Sequence, residues 1–161
     1  MNILAIIPAR YGSSRFPGKP LAIIHGKTMI QRVYMQTKKT IEHVVVATDD
    51  QRIADNVKSF GGEFVLTNPN HNSGTDRCAE ALQLYQQAKN IIFDVVINIQ
   101  GDEPFIDPGQ ISQLANIFND KTVELATLIK PIDNIETLLS PNRVKVVVDN
   151  GGNALYFSRQ P

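Results

Sequence analysis

Short apolar runs recur along the chain, separated by stretches in which apolar residues return every three or four positions. Residues 2–7 are too short and too β-branched for a helix and show no polar alternation. They read as a strand buried on both faces, as strands of a parallel sheet are. Residues 43–48 and 91–99 repeat the pattern, and Val95, Val96 and Ile97 are expected at a fully buried strand centre. Residues 63–67 form a shorter candidate strand. Between these runs the period changes. Residues 21–24 are a short apolar segment before a turn at 25–27, and Thr28 can cap a helix to about Lys39. That helix would carry Met29, Ile30, Val33 and Tyr34 on one face, with Gln31, Arg32, Gln36 and Lys38 on the other. Asp50 is a natural cap for a helix over 51–60, closed by Gly61 and Gly62. A polar turn over 68–74 leads into a helix over 76–89, buried through Ala79, Leu82 and Tyr85, and Asp107-Pro108 opens another. Farther on, 123–129 reads as a fifth strand, 132–139 as a short helix and 143–149 as a strand, with a turn at 150–153 into 154–158.

Strands and helices alternate down most of the chain. That order predicts an α/β fold with a mostly parallel, doubly wound sheet and helices on both faces. A length of 161 residues suits a single domain over 1–161. Ending on the second strand of a hairpin is an odd terminus, so the domain is expected to lack its C-terminal part. Hydrophobic content of 42% and charged content of 20% are ordinary for a soluble globular protein. No apolar run reaches about eighteen residues, and no basic segment followed by an apolar stretch and cleavage site opens the chain. A cytoplasmic protein without a membrane partner is expected. Cys78 is the lone cysteine, which excludes an internal disulfide and a cysteine-based zinc site and marks it as a packing residue.

Charge sharpens this outline. The formal net charge is zero, yet residues 1–41 contain seven Lys or Arg and no acid. Such an arrangement predicts a local anion site rather than affinity for nucleic acid. Its centre is the loop over 6–20, Ile-Ile-Pro-Ala-Arg-Tyr-Gly-Ser-Ser-Arg-Phe-Pro-Gly-Lys-Pro. Gly12 and Gly18 let backbone approach a ligand or take positive φ, prolines stiffen the loop, and N–H groups from Gly12 to Ser14 can face an anion. Arg10, Arg15 and Lys19 add three charges, placing a polyphosphate at the carboxyl end of the first strand. The loop lacks the order of a P-loop, and the dinucleotide fingerprint is absent. His25, His43 and His71 show no ligand spacing, and no Ser-His-Asp or Cys-His constellation is present. Asp102 follows a buried strand beside Gly101, a position that suits either a divalent cation or a simple turn aspartate. Ser73 and Thr75 stand where a helix begins, while Arg77 is a cation in a first turn where the helix dipole disfavours it.

The loop resembles the nucleotide-binding signature of the cytidylyltransferases that activate acidic sugars, and most closely those acting on 3-deoxy-manno-octulosonate (Kdo). Ala47-Thr48-Asp49-Asp50, His71-Asn72-Ser73-Gly74-Thr75-Asp76-Arg77, Asn98-Ile99-Gln100-Gly101-Asp102-Glu103-Pro104 and Leu155-Tyr156-Phe157-Ser158-Arg159 fit the same family in order and spacing. The resemblance implies CMP transfer from CTP to the anomeric hydroxyl of Kdo, giving CMP-Kdo and pyrophosphate for lipopolysaccharide synthesis. It implies nucleotide contacts from Ala9, Arg10, Gly12, Ser13, Ser14, Arg15, Lys19, Ser73 and Gln100, and sugar contacts from Arg77, Gln100 and Arg159. Arg10, Lys19 and Asp102 are the implied catalytic set, with Asp102 a ligand of Mg²⁺. The family's second metal aspartate comes later and is not in this sequence, and the longer enzymes are expected to be homodimers. The sibling CMP-sialic acid synthetases are the neighbouring reading, and a CTP-binding module without catalysis is the alternative from a different class.

Overall fold

The computed structural model describes residues 1–12 and 16–161, so Ser13, Ser14 and Arg15 of the predicted nucleotide loop lie outside the described residues. The chain divides into two compact units, Met1–Glu124 and Leu125–Pro161, where the sequence pattern suggested one domain.

The first unit is built on a parallel sheet. β1 (Ile3–Ala9) pairs with β4 (His43–Thr48) on one side and β6 (Val95–Asn98) on the other, and β5 (Phe64–Leu66) pairs with β4, giving the order β5-β4-β1-β6. A small antiparallel pair, β2 (Ile23–Ile24) and β3 (Lys27–Thr28), follows the nucleotide loop, joined by a turn in which His25 and Gly26 both take positive φ. Among the described residues of this unit the α-helices are α1 (Met29–Thr37), α2 (Gln51–Ser59), α3 (Gly74–Lys89) and α4 (Pro108–Ile117). Alternate side chains of one strand serve opposite faces. Ala5, Ile7 and Ala9 of β1, with Val44 and Val46, pack against Ile30, Val33, Ile53, Val57 and Ile111 of α1, α2 and α4. Leu4 and Ile6, with Val45 and Ala47, pack against Cys78, Ala81 and Tyr85 of α3. Helices thus cover both faces, as the α/β pattern predicts.

The caps expected from sequence are in place. Thr28 accepts from the Gln31 N–H, Asp50 from Arg52 and Asp107 from Gly109, each satisfying an N–H that the first helical turn leaves open. α3 starts earlier than predicted because Ser73, not a later residue, is its cap. Its buried stripe is Arg77, Cys78, Ala81 and Tyr85, whereas Ala79, expected inside, is exposed and Leu82 only partly buried. The centre of β6 also departs from expectation. Ile97 is buried, but Val95 is only partly buried and Val96 is 37% exposed, because among the described residues β6 stands at the edge of the sheet.

In the second unit, β7 (Lys145–Val148) and β8 (Ala154–Ser158) form the predicted antiparallel hairpin, with a register irregularity between Val147 and Val148. The short helix α5 (Ile135–Leu139) is capped by Asn134. The fifth strand expected over 123–129 does not form. A strand needs a neighbouring ladder to take its N–H and C=O groups, and none accompanies this segment among the described residues. Leu125 is accordingly 91% exposed.

Candidate nucleotide-binding site

The carboxyl ends of β1, β4 and β6 lie side by side because β1 pairs with both of the others, Ala9 standing opposite Thr48 and Ile6 opposite Asn98. The chain therefore delivers Arg10, Asp49 and Gln100 to one edge of the sheet, where open parallel sheets bind ligands. Pro8 is the hub of that edge. A Cβ on Gly101 would lie 2.8 Å from the Pro8 carbonyl oxygen, so the glycine is what lets the turn after β6 press against β1. The start of α3 touches the same proline, since a Cβ on Gly74 would meet Pro8 Cγ at 3.6 Å.

The base of the nucleotide loop is pinned at both ends. The Gly18 N–H donates to the Tyr11 carbonyl at 2.9 Å, and Gly18 takes φ 72°, the left-handed region that favours glycine. The Tyr11 ring carries the Arg52 guanidinium 3.3 Å from its centroid, a cation–π contact. Arg52 in turn grips Asp50, with Nε 2.9 Å from Oδ1 and Nη2 2.6 Å from Oδ2. Those bonds hold the Asp50 carboxyl below the usual carboxylate range. Sequence reasoning singled out neither Tyr11 nor Arg52. The one available signal was an arginine in the first turn of α2, where the helix dipole disfavours it.

From Gly18 the chain enters a 3₁₀ turn over Lys19–Leu21, with Pro20 buried. Lys19 Nζ reaches Asp102 Oδ2 at 2.6 Å, the two side chains 37% and 53% exposed. Two of the predicted catalytic residues, 83 positions apart, are therefore in contact. Arg10 is exposed just beyond β1 and Gln100 just beyond β6, while Gly12 is exposed and, among the described residues, nothing lies within 4 Å of an added Cβ. Ala9 points into the core at 4% exposure, which leaves only its backbone for a ligand.

Arg77 is placed differently from its implied role as a sugar contact. It is 4% exposed, and it donates from Nη1 to Thr67 Oγ1 at 2.5 Å and from Nη2 to Asp49 Oδ2 at 2.8 Å. The guanidinium is turned inward and ties α3 to the residues that follow β4 and β5. Ser73, three residues before Asp76, caps the helix by accepting the Asp76 N–H at 3.1 Å, and its hydroxyl donates to Asp76 Oδ2 at 2.8 Å. The preceding turn is held by Glu80, whose Oε2 accepts the Asn68 N–H at 2.8 Å and lies 2.5 Å from His71 Nε2. Those bonds, led by that from His71, hold the Glu80 carboxyl below its ordinary range. Cys78 is buried, and desolvation pushes its thiol up to about 11, which fits a packing residue rather than a nucleophile. In the second unit, Arg159 Nη1 donates to the Pro141 carbonyl at 3.1 Å, and the buried Lys145 donates to the carbonyls of Ser140 and Arg159.

The donor set can be tested for a divalent ion. Among the described residues no three His, Cys, Asp or Glu side chains converge on a metal position. Asp102 supplies one accessible carboxylate, and an ammonium already rests against it. That fits Mg²⁺, which binds through one or two carboxylates and keeps waters and substrate phosphates as its other ligands. It would not fit a structural zinc.

Residues 4–161 match the family model described as Cytidylyltransferase. The chain is 58% identical to a 3-deoxy-manno-octulosonate cytidylyltransferase from Cytophaga hutchinsonii, over 99% of this chain and 63% of that relative. It is 52% identical to the enzyme of the same name from Parabacteroides distasonis, with the same coverage. Among solved structures it superposes with TM-score 0.91 and 43% identity on a CMP:2-keto-3-deoxy-manno-octonic acid synthetase complexed with CTP, over 99% of this chain and 65% of that one. A cytidylyltransferase from Leptospira borgpetersenii superposes with TM-score 0.65 at 25% identity, over 77% and 52% of the two chains. The chain thus spans 63% of the length of these curated relatives. With the match running through the pinned loop, the Asp49 and Asp102 turns and the hairpin, the chain belongs to the cytidylyltransferase family.

Proposed function

We propose that this chain carries the nucleotide half of a site that transfers CMP from CTP to the anomeric hydroxyl of Kdo, giving CMP-Kdo and pyrophosphate. The observation that carries the reading is the meeting of Lys19 with Asp102 beside Arg10, at the sheet edge that binds ligands in this architecture. Support comes from the relatives named for this reaction and from the superposed synthetase complexed with CTP.

The parts ask for no protein nucleophile. The anomeric oxygen of the sugar attacks the α-phosphorus in line, forming the new O–P bond as the bond from that phosphorus to the α,β-bridging oxygen breaks. The hydroxyl proton passes to water, and the bonding pair departs with pyrophosphate. Arg10 and Lys19 bind the triphosphate and meet the charge that grows on the leaving oxygen. Asp102 would hold Mg²⁺, which would supply further neutralisation of the phosphates. Ser73 and Gln100 face the base, and Arg159 recognises the carboxylate of Kdo, which a guanidinium can hold bidentately. Arg77 acts by fixing Asp49 and the start of α3 rather than by touching the sugar. The full-length enzyme would work in the cytoplasm as a homodimer and supply lipopolysaccharide assembly.

The test is calorimetric titration of the chain with CTP, UTP and ATP in Mg²⁺, followed by a pyrophosphate assay with and without Kdo. CTP binding at least about tenfold tighter than the others, a gap of 1.4 kcal/mol, with pyrophosphate released only when Kdo is present, is expected. Equal affinity for the three nucleotides would overturn the cytidylyl assignment. CTP binding without pyrophosphate would reduce the chain to a binding module.

A further inference from the structure

Lys19 and Asp102 are both given to the reaction above, yet each occupies the other's ligand position. The Lys19 ammonium sits 2.6 Å from Asp102 Oδ2, on the carboxylate that a divalent ion would need. Neither backbone is free to back away. Lys19 begins a 3₁₀ turn closed by the Leu21 N–H on the Gly18 carbonyl at 2.8 Å and the Ala22 N–H on the Lys19 carbonyl at 3.1 Å. Asp102 lies in a turn closed by the Glu103 N–H on the Gln100 carbonyl and pressed onto Pro8 through Gly101. The lysine stem is the part that can move. Both heads are solvent-accessible, so the pair can be opened by a ligand arriving from water.

We propose that Lys19 is an internal counter-ion that guards Asp102 until a nucleoside triphosphate arrives. Triphosphate oxygens draw the ammonium off the carboxylate, which would leave Asp102 available to a divalent cation. Triphosphate and metal therefore bind with positive coupling, and metal alone binds poorly. The inference rests on the metal-dependent reading of Asp102. It adds an order of assembly and gives Lys19 a role before any chemistry. By linkage the coupling is reciprocal, so the metal also tightens the triphosphate.

The size of the effect follows from the exposure of the pair. Solvent-exposed ion pairs contribute little, so freeing Asp102 should raise its metal affinity by at most about fivefold rather than by orders of magnitude. The experiment is Mn²⁺ titration, read by the loss of the free-ion electron paramagnetic resonance signal, on the wild-type chain, Lys19→Met, Lys19→Gln and Asp102→Asn without nucleotide. Both Lys19 variants should bind Mn²⁺ about fivefold more tightly than wild type, and Asp102→Asn combined with Lys19→Met should bind no more tightly than Asp102→Asn alone. Equal or weaker affinity in the Lys19 variants overturns the guard, as does an affinity gain that survives the loss of Asp102. CTP titration of the wild-type chain in chelator is run in parallel. If CTP binds while the Mn²⁺ affinities are equal, the guard fails and the cytidylyl reading stands. If the Lys19 variants bind no Mn²⁺ either, the guard fails, and if CTP binds neither in chelator nor in Mg²⁺, the cytidylyl reading falls with it.

Discussion

Replacing Arg77 with methionine keeps most of the buried volume of the side chain and removes its charge and donors. What is lost is the 2.8 Å bond to Asp49 and the 2.5 Å bond to Thr67, from a guanidinium whose side chain is 5% exposed. What remains is an aspartate with no cation, itself only 17% exposed. Removing one partner of a buried ion pair costs about 3–5 kcal/mol, most of it the stranded charge. Residual hydration of Asp49 places this case at the lower end, about 3 kcal/mol. For a chain of this size each kcal/mol lowers the melting temperature by about 2–4 °C, so a drop of about 6–12 °C is expected. Urea unfolding of wild type, Arg77→Met, Asp49→Ala and the double variant checks it. The double variant should cost less than the sum of the singles by at least about 1 kcal/mol, because it leaves no stranded charge. A loss below about 1 kcal/mol in Arg77→Met, coupled with selective loss of sugar binding, would refute the brace and return Arg77 to the acceptor site.

Gly101→Ala should cost about 1–3 kcal/mol and weaken Mn²⁺ binding at Asp102, because the new methyl would press on the Pro8 carbonyl. Gly12→Ala, whose added Cβ meets nothing within 4 Å among the described residues, should stay within about 0.5 kcal/mol of wild type in the same urea unfolding. Glu80 has a folded-state carboxyl value below its ordinary 4.5, so its contribution to stability is complete above that value and is lost as pH falls through the lower folded value. Glu80→Gln should flatten the loss of stability on acidification below about pH 5, read by urea midpoints across pH, and an unchanged slope would remove Glu80 from the acid response.

The sheet was legible because burial on both faces leaves an unmistakable pattern. The run 43–48 became β4 with the same bounds, and caps at Thr28, Asp50 and Asp107 marked helices whose first turns they satisfy. Errors arose where a local pattern needed a distant partner to become structure. Residues 123–129 have strand-like composition, but composition does not supply a ladder. Val96 has the side chain of a buried strand, but its exposure depends on which strands flank β6, a property of topology. In α3 Tyr85 is buried as expected, but Arg77, Cys78 and Ala81 take the places expected of Ala79 and Leu82, since a charged residue is assigned outward by default.

The same distinction governs the site. Charge asymmetry in residues 1–41 pointed to an anion loop, the turn after the strand over 91–99 pointed to Asp102, and Asp49 stood in one of the segments that carry the family resemblance. How these groups meet was not legible. Lys19 and Asp102 join across 83 positions only because β1 and β6 are neighbours, and nothing in either segment distinguishes an ion pair from two separate ligand contacts. Tyr11 and Arg52 likewise read as a loop aromatic and a surface cation until the fold stacks one on the other. Arg77 shows the converse case. Its helix-dipole conflict was visible as an anomaly in the sequence, and the fold resolves that anomaly by giving the charge to Asp49 inside the protein rather than to a ligand. A local violation of propensity thus identified an important residue without identifying its partner. Two pairings within one sheet edge, one with Asp49 and one with Asp102, separate a cation that holds the site together from a cation that a substrate can take.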